Sequence, residues 1–297
     1  MRTEQEMMDL ILATAKQDER IRAVYMNGSR TNPNVPKDLF QDYDVVYVVE
    51  EIKPFIQRRE WLTAFGGLLM MQEPDKNDGV TAHEGESLES YMFLMLFNDG
   101  NRIDLRLQTK ECMQREYGLD KLTCPLLDKD GLLPAIPAPT DCDYHVVKPS
   151  EEEYNRYTND FWWCSQNVAK GIWRDELPYA KHMFEQTMRV PLELMISWWI
   201  GIQHDFHIST GKLGKYVKNH LPKAYWEMYE GTYSDSDYSN MWEAVFTTCE
   251  LFRILARDVA DHFDFTYPLE DDQNMMHYLQ RVRNLPADAV ELFPHNR

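Results

Sequence analysis

Residues 42–49, DYDVVYVV, constrain this chain more than any other stretch. A run this rich in β-branched and aromatic residues reads as a strand. Side chains two apart on a strand point to the same side, so Asp42 and Asp44 share one face. Neighbouring carboxylates repel unless something positive sits between them, and a divalent cation does that well. Magnesium favours carboxylate oxygens, water and substrate phosphates together.

A third carboxylate has the same setting. Residues 91–97, YMFLMLF, form a continuous apolar run that fits a buried strand, and Asn-Asp-Gly-Asn at 98–101 signals a turn. Residues 102–107, RIDLRL, then alternate, with Ile103, Leu105 and Leu107 on one face and Asp104 and Arg106 on the other. Together these segments predict a hairpin. Three carboxylates on one sheet can hold two metal ions about 3.5–4 Å apart, which suits in-line displacement at phosphorus. Upstream, residues 21–26 read as a short strand ending at Gly28-Ser29. Glycine lets backbone approach a phosphate, and the Ser29 hydroxyl and nearby N–H groups can donate to its oxygens. Arg30 would add a charge-assisted contact. Taken singly, each piece has an ordinary reading: a common turn, a solvated strand start, an Asp104 paired with Arg102 or Arg106. Their order along the chain is what points to a site.

Periodicity predicts a helix over roughly residues 4–18 and another over 55–71. Residues 132–149 hold four prolines and little periodicity. From residue 151 onward, acids, tryptophans and apolar residues recur at helical spacing, and seven of the eight tryptophans lie there. Strands first and helices afterwards predict an α+β protein: a mixed sheet with helices over residues 1–135, a linker over 136–150, and a C-terminal helical bundle over 151–297.

Composition narrows the function. The formal charge is −18, a field that disfavours a nucleic-acid substrate and attracts polycations, although excess acid also serves solubility. Five cysteines, an odd number without C-x-x-C spacing, predict free thiols in a reducing compartment. The first residues lack the apolar core of a signal peptide. The most apolar stretch, 195–202, is far short of the about 20 residues a membrane span needs. These features predict a cytoplasmic protein without a membrane partner. His182, His204 and His207 lack partners at zinc-ligand spacing and read as structural.

Gly28-Ser29, Asp42-x-Asp44 and Asp104 resemble the motif of the polymerase-β-type nucleotidyltransferases, over about the first third of the chain. A closer resemblance runs nearly full length. The segments MNGSRTNPNVPKDLFQDYDVVYVV, FGGLLMMQEPD, RIDLRL, NDFWWCSQNVAKGIWRDELPYAK and TGKLGKYVKNHLP are similar to bacterial aminoglycoside 6-adenylyltransferases, the streptomycin adenylyltransferases. The resemblance implies AMP transfer from Mg-ATP to the 6-hydroxyl of streptomycin, with pyrophosphate released and drug resistance as the result. It implies ATP and drug in a cleft between a nucleotidyltransferase domain and a helical domain. Asp42 and Asp44 would ligate magnesium, and Asp104 would either ligate a second ion or take the hydroxyl proton. Glu84 and Glu86 are alternative bases. Lys212 and Lys215, and less strongly Lys218, resemble triphosphate-binding lysines. The drug is a polycation with two guanidinium groups, so carboxylates and aromatic faces should hold it. Trp173, Asp175 and Glu176 are the first candidates and Trp163 another, against a reading in which the tryptophans are core and the acids surface. Two alternatives stay open: another acceptor (a different aminoglycoside, a lincosamide or a protein), or a non-catalytic nucleotide-binding module.

Overall fold

The computed structural model describes residues 1–77 and 88–293 and divides into two compact units, Met1–Asp143 and Tyr144–Arg297. The first is built on six strands: β1 (Ile21–Asn27), β2 (Tyr43–Val49), β3 (Leu68–Gln72), β4 (Ser90–Phe97), β5 (Arg102–Thr109) and β6 (Cys124–Asp128). Their order across the sheet is β3-β4-β5-β2-β1-β6. The β4–β5 pair is the expected hairpin. Every pairing is antiparallel except β2 with β5, which run parallel.

The period of two along each strand separates two faces. On one, Tyr43, Val45 and Tyr47 of β2 and Ile103, Leu105 and Leu107 of β5 pack with Phe93, Met95 and Phe97 of β4. Helix α1 (Glu4–Gln17) covers them with Met7, Ile11 and Ala15. A Thr3–Glu6 capping box starts α1, and the Tyr47 hydroxyl donates to the Ile11 carbonyl at 2.6 Å. The opposite face has a small core of Ala23, Tyr25, Val46, Val48 and Met113. Asp44 and Asp104 share the strand parity of that second face.

The helix expected over 55–71 is not there. Helix α2 (Lys53–Gln57) is short, a 3-10 turn follows over Glu60–Phe65, and Leu68–Gln72 is the edge strand β3. Gly66 at φ 101° ends the turn, and the Gly67 carbonyl accepts from Asn98 N, which starts the pairing with β4. Two adjacent glycines and a free sheet edge outweigh helical spacing in a short segment. Two brief helices complete this unit, α3 (Pro74–Asn77) and α4 (Lys110–Glu116). The segment expected as a linker is divided. Thr140 N donates to the Lys121 carbonyl on the first unit, whereas Val146 N donates to the Ile208 carbonyl on the second.

The second unit is helical: α5 (Glu151–Trp173), α6 (Leu177–Met183), α7 (Arg189–Gln203), α8 (Val217–His220), α9 (Lys223–Gly231), α10 (Tyr238–Phe263) and α11 (Leu269–Arg283). A Ser150–Glu153 capping box starts α5. Phe161 of α5 stacks on Phe252 of α10 at 3.7 Å, and Trp162, Trp198 and Trp242 are buried around them. Among the described residues no helix is long and apolar enough to cross a membrane. Helices α10 and α11 are tied by Arg253, which donates twice to Asp272 at 2.6 Å, and the Tyr267 hydroxyl donates to the same carboxylate at 2.7 Å. Asp272 is 1% exposed. Removing that carboxylate strips the Arg253 guanidinium of its buried partner, leaving it only the exposed Glu250, and leaves the partly buried Tyr267 phenol without its acceptor. Asp272→Ala should therefore cost about 3 kcal/mol in urea unfolding, while Glu250→Ala, on the exposed side of Arg253, should cost under about 1 kcal/mol.

Candidate active site

The three aspartates are assembled by pairing between strands distant in sequence. Asp44 lies opposite Asp104 in the parallel β2–β5 register, and opposite Asn27 in the antiparallel β1–β2 register. Asp42 immediately precedes β2, two residues from Asp44, so it stays on the same side. One carboxylate oxygen from each of the three lies within 4.8 Å of the others. The sheet end that carries them is where β2 and β5 begin and β1 finishes.

Gly28 follows β1 at φ 78°, ψ −160°, a region that only glycine occupies comfortably. Space excludes a side chain independently. A Cβ there would sit 2.0 Å from Asp44 Oδ2 and 2.8 Å from its Cγ. The glycine thus lets the backbone turn against the carboxylate. Ser29 begins a 3-10 turn that Thr31 closes, its hydroxyl donating to the Gly28 carbonyl at 2.9 Å. The Ser29 hydroxyl has no hydrogen-bond partner among the described residues, so it remains available as a donor.

Two arginines fix the aspartates. Arg102, two residues before Asp104 on β5, donates from Nε and Nη2 to its two oxygens at 2.7 and 2.6 Å. Its Nε also lies 3.8 Å from Asp42 Oδ2. The hydrogen bonds to Asp104 raise the guanidinium's pKa, burial opposes them, and the charges of Asp104, Asp42 and Asp44 add to the rise. Of the pairings open to Asp104 in the sequence, the structure takes Arg102. Arg106 instead pairs with Glu116 at 2.6 Å. Arg30, expected on a phosphate, spends its guanidinium elsewhere. It donates to the Asp42 carbonyl at 3.0 Å and the Gln41 carbonyl at 2.7 Å, and lies 3.7 Å over the Tyr43 ring. Its side chain is only 7% exposed. It clamps the backbone that presents Asp42.

The three carboxylates cluster beside the Arg102 guanidinium. The donors are all hard oxygens, and Asp42 and Asp104 remain accessible, with side chains 30% and 14% exposed. This all-oxygen donor set fits magnesium and does not suit the softer metals that prefer thiolate or imidazole.

The other expected residues lie elsewhere. Glu84 and Glu86 fall outside the described residues. Lys212 and Lys215 are exposed on a loop of the second unit, in which Gly211, Leu213 and Gly214 have φ of 75°, 56° and 73°. Neither lysine has an ion-pair partner among the described residues. Lys218 lies over the Trp226 ring. Trp173, Asp175 and Glu176 share the turn joining α5 to α6, where the Trp173 indole donates to the Pro286 carbonyl at 3.2 Å. Asp175 and Glu176 are exposed. Trp163 is 65% exposed, ten residues back along α5, or about 15 Å of helix. The tight α5–α6 contact depends on Gly171, where a Cβ would meet Ala180 Cβ at 2.9 Å. Sequence reasoning held the Arg102–Asp104 pair only as the ordinary alternative to a site and did not foresee Arg30 on the Gln41 and Asp42 carbonyls. The Arg-x-Asp spacing on a strand was the available signal for the first, and no local signal marked the second.

Residues 1–282 match the streptomycin adenylyltransferase family. An aminoglycoside 6-adenylyltransferase of Campylobacter jejuni is 39% identical over 273 residues, 92% of this chain and 93% of the relative. One from Bacillus subtilis (strain 168) is 36% identical over 283 residues, 95% of this chain and 98% of the relative. Among solved structures, the crystal structure of an aminoglycoside 6-adenyltransferase from Bacillus subtilis is 32% identical, with a TM-score of 0.48, covering 96% of this chain and 100% of that one.

Two stability measurements probe this geometry. Gly28→Ala should cost about 2 kcal/mol or more, from backbone strain plus the collision with Asp44. The cost should shrink by about 1 kcal/mol in an Asp44→Ala background, as measured by a double-mutant cycle in urea. Arg102→Ala, in chelator, should lose about 1 kcal/mol at low ionic strength and much less in 1 M salt, where charge repulsion among the aspartates is screened.

Proposed function

The chain belongs to the streptomycin adenylyltransferase family, and on that footing we propose that it transfers AMP from magnesium-bound ATP to the 6-hydroxyl of streptomycin, which would confer resistance to the drug. The observation that carries this reading is the convergence of Asp42, Asp44 and Asp104 beside Gly28-Ser29. The acceptor hydroxyl oxygen bonds to the α-phosphorus, the bond to the bridging oxygen breaks, pyrophosphate leaves, and the hydroxyl proton passes to a base.

Asp42 and Asp44 are the residues that would hold magnesium. When bound, magnesium would offset phosphate charge and make the acceptor hydroxyl more acidic. The Ser29 hydroxyl and the backbone N–H groups after Gly28 would donate to phosphate oxygens, a role their turn geometry supports. Asp104, oriented by Arg102, would complete the ligand set or accept the proton. Lys212 and Lys215 are the candidates for the triphosphate. Trp173, Asp175 and Glu176, together on one turn, are candidates for the cationic drug, with Trp163 farther along the helix. The formal charge of −18 favours approach of a polycation.

Pyrophosphate release with Mg-ATP, followed with and without streptomycin and across other aminoglycosides, tests the reaction. Release that depends on streptomycin, with AMP attached at the 6-hydroxyl by NMR, is the expected result. Release with a different drug alone would replace the acceptor, and no release with any would reject transfer to aminoglycosides. Asp42→Asn and Asp44→Asn should each lower turnover about a hundredfold or more while leaving the far-UV circular dichroism unchanged. Near-normal turnover in either variant would remove that residue from the ligand set.

A further inference from the structure

The helical unit contains a pocket of about 330 Å³ between α7, the loop at 211–214 and the start of α8. That volume is at the small end of ligand sites. Its walls are largely apolar, with Tyr157, Leu194 and Val217 among them, and Ser197 and Thr210 add hydroxyls. Glu193 is the one charged side chain among its described lining residues.

That carboxylate is held in place by its neighbours. The Tyr229 hydroxyl donates to Glu193 Oε1 at 2.9 Å and lies 3.0 Å from the Tyr233 hydroxyl. Arg189 lies 3.8 Å over the Tyr233 ring and donates to the Thr232 hydroxyl at 2.9 Å and its carbonyl at 3.2 Å. Arg189 is 6% exposed and also pairs with Glu185, across the π-helical turn Phe184–Met188 that precedes α7. Burial keeps the Tyr229 phenol protonated, so it stays a donor. The other oxygen of Glu193 has no hydrogen-bond partner among the described residues. A carboxylate fixed through one oxygen and uncommitted through the other, in an apolar pocket, is pre-organised for a hydrogen-bonding cation. It disfavours phosphate by like charge. At the rim, Leu213 is 92% exposed at φ 56°, a strained position for a leucine.

We propose that Glu193 and this pocket form a subsite for a guanidinium or ammonium group of the acceptor, an inference that rests on the aminoglycoside reading and adds a residue to it. Streptomycin and ATP, each titrated calorimetrically into the intact protein without turnover, test it. Glu193→Gln keeps the size and the bond from Tyr229 while removing the charge. It should weaken streptomycin binding at least about tenfold and leave ATP binding within about twofold. In turnover, the KM for the drug should rise with kcat nearly unchanged. Tyr229→Phe, which removes the orienting hydroxyl but not the charge, should shift drug affinity in the same direction by about threefold. If streptomycin still drives pyrophosphate release and Glu193→Gln binds the drug normally, or loses ATP affinity instead, the subsite is wrong and the reaction stands. A wild-type protein that binds and modifies no aminoglycoside overturns both.

Discussion

The parallel pairing of β2 with β5 is the contact on which the site depends. It sets Asp44 level with Asp104, although sixty residues separate them in sequence. Because a strand alternates with period two, the same register that buries Val45, Tyr47, Leu105 and Leu107 under α1 turns both carboxylates to the other face. A slip of one residue would bury the aspartates and expose the core. The energy of the apolar face thus fixes the geometry of the charged one.

A cluster of like charges must be held against its own repulsion, and this protein does so with fixed parts. Gly28 lets the backbone come against Asp44 where any side chain would collide. Arg102 forks onto Asp104 and leans towards Asp42, and Arg30 clamps the carbonyls that present Asp42. One arginine pairs with a carboxylate two residues away, and the other reaches across a loop to position backbone twelve residues on. A cluster of carboxylate oxygens held this close favours a hard cation.

The helical unit applies the same rule once more. Arg189, Tyr233 and Tyr229 hold Glu193 from behind, so a charged group faces a mainly apolar pocket without being free to turn. In both units the residue proposed to meet a ligand is fixed by neighbours with no such role. A sequence scan for reactive side chains finds the former far more readily.

Much of the fold was legible in the sequence: α1, β1, β2, the β4–β5 hairpin and the helical second half all follow from periodicity, β-propensity and turn residues, which act over a few neighbours. The grouping of the three aspartates beside Gly28 was legible because strand parity and the turn glycine can be read from the residues themselves. Residues 55–71 misled, since helical spacing in a short segment says nothing about an open sheet edge waiting to be paired. What the sequence by itself determined was the set of local elements and the kind of groups they carry. Only the tertiary structure decided that β5 lies parallel to β2, that Arg30 turns to backbone and Arg102 to Asp104, and that Glu193 faces a pocket. Those outcomes depend on which distant surfaces bury each other, and no local pattern encodes that choice.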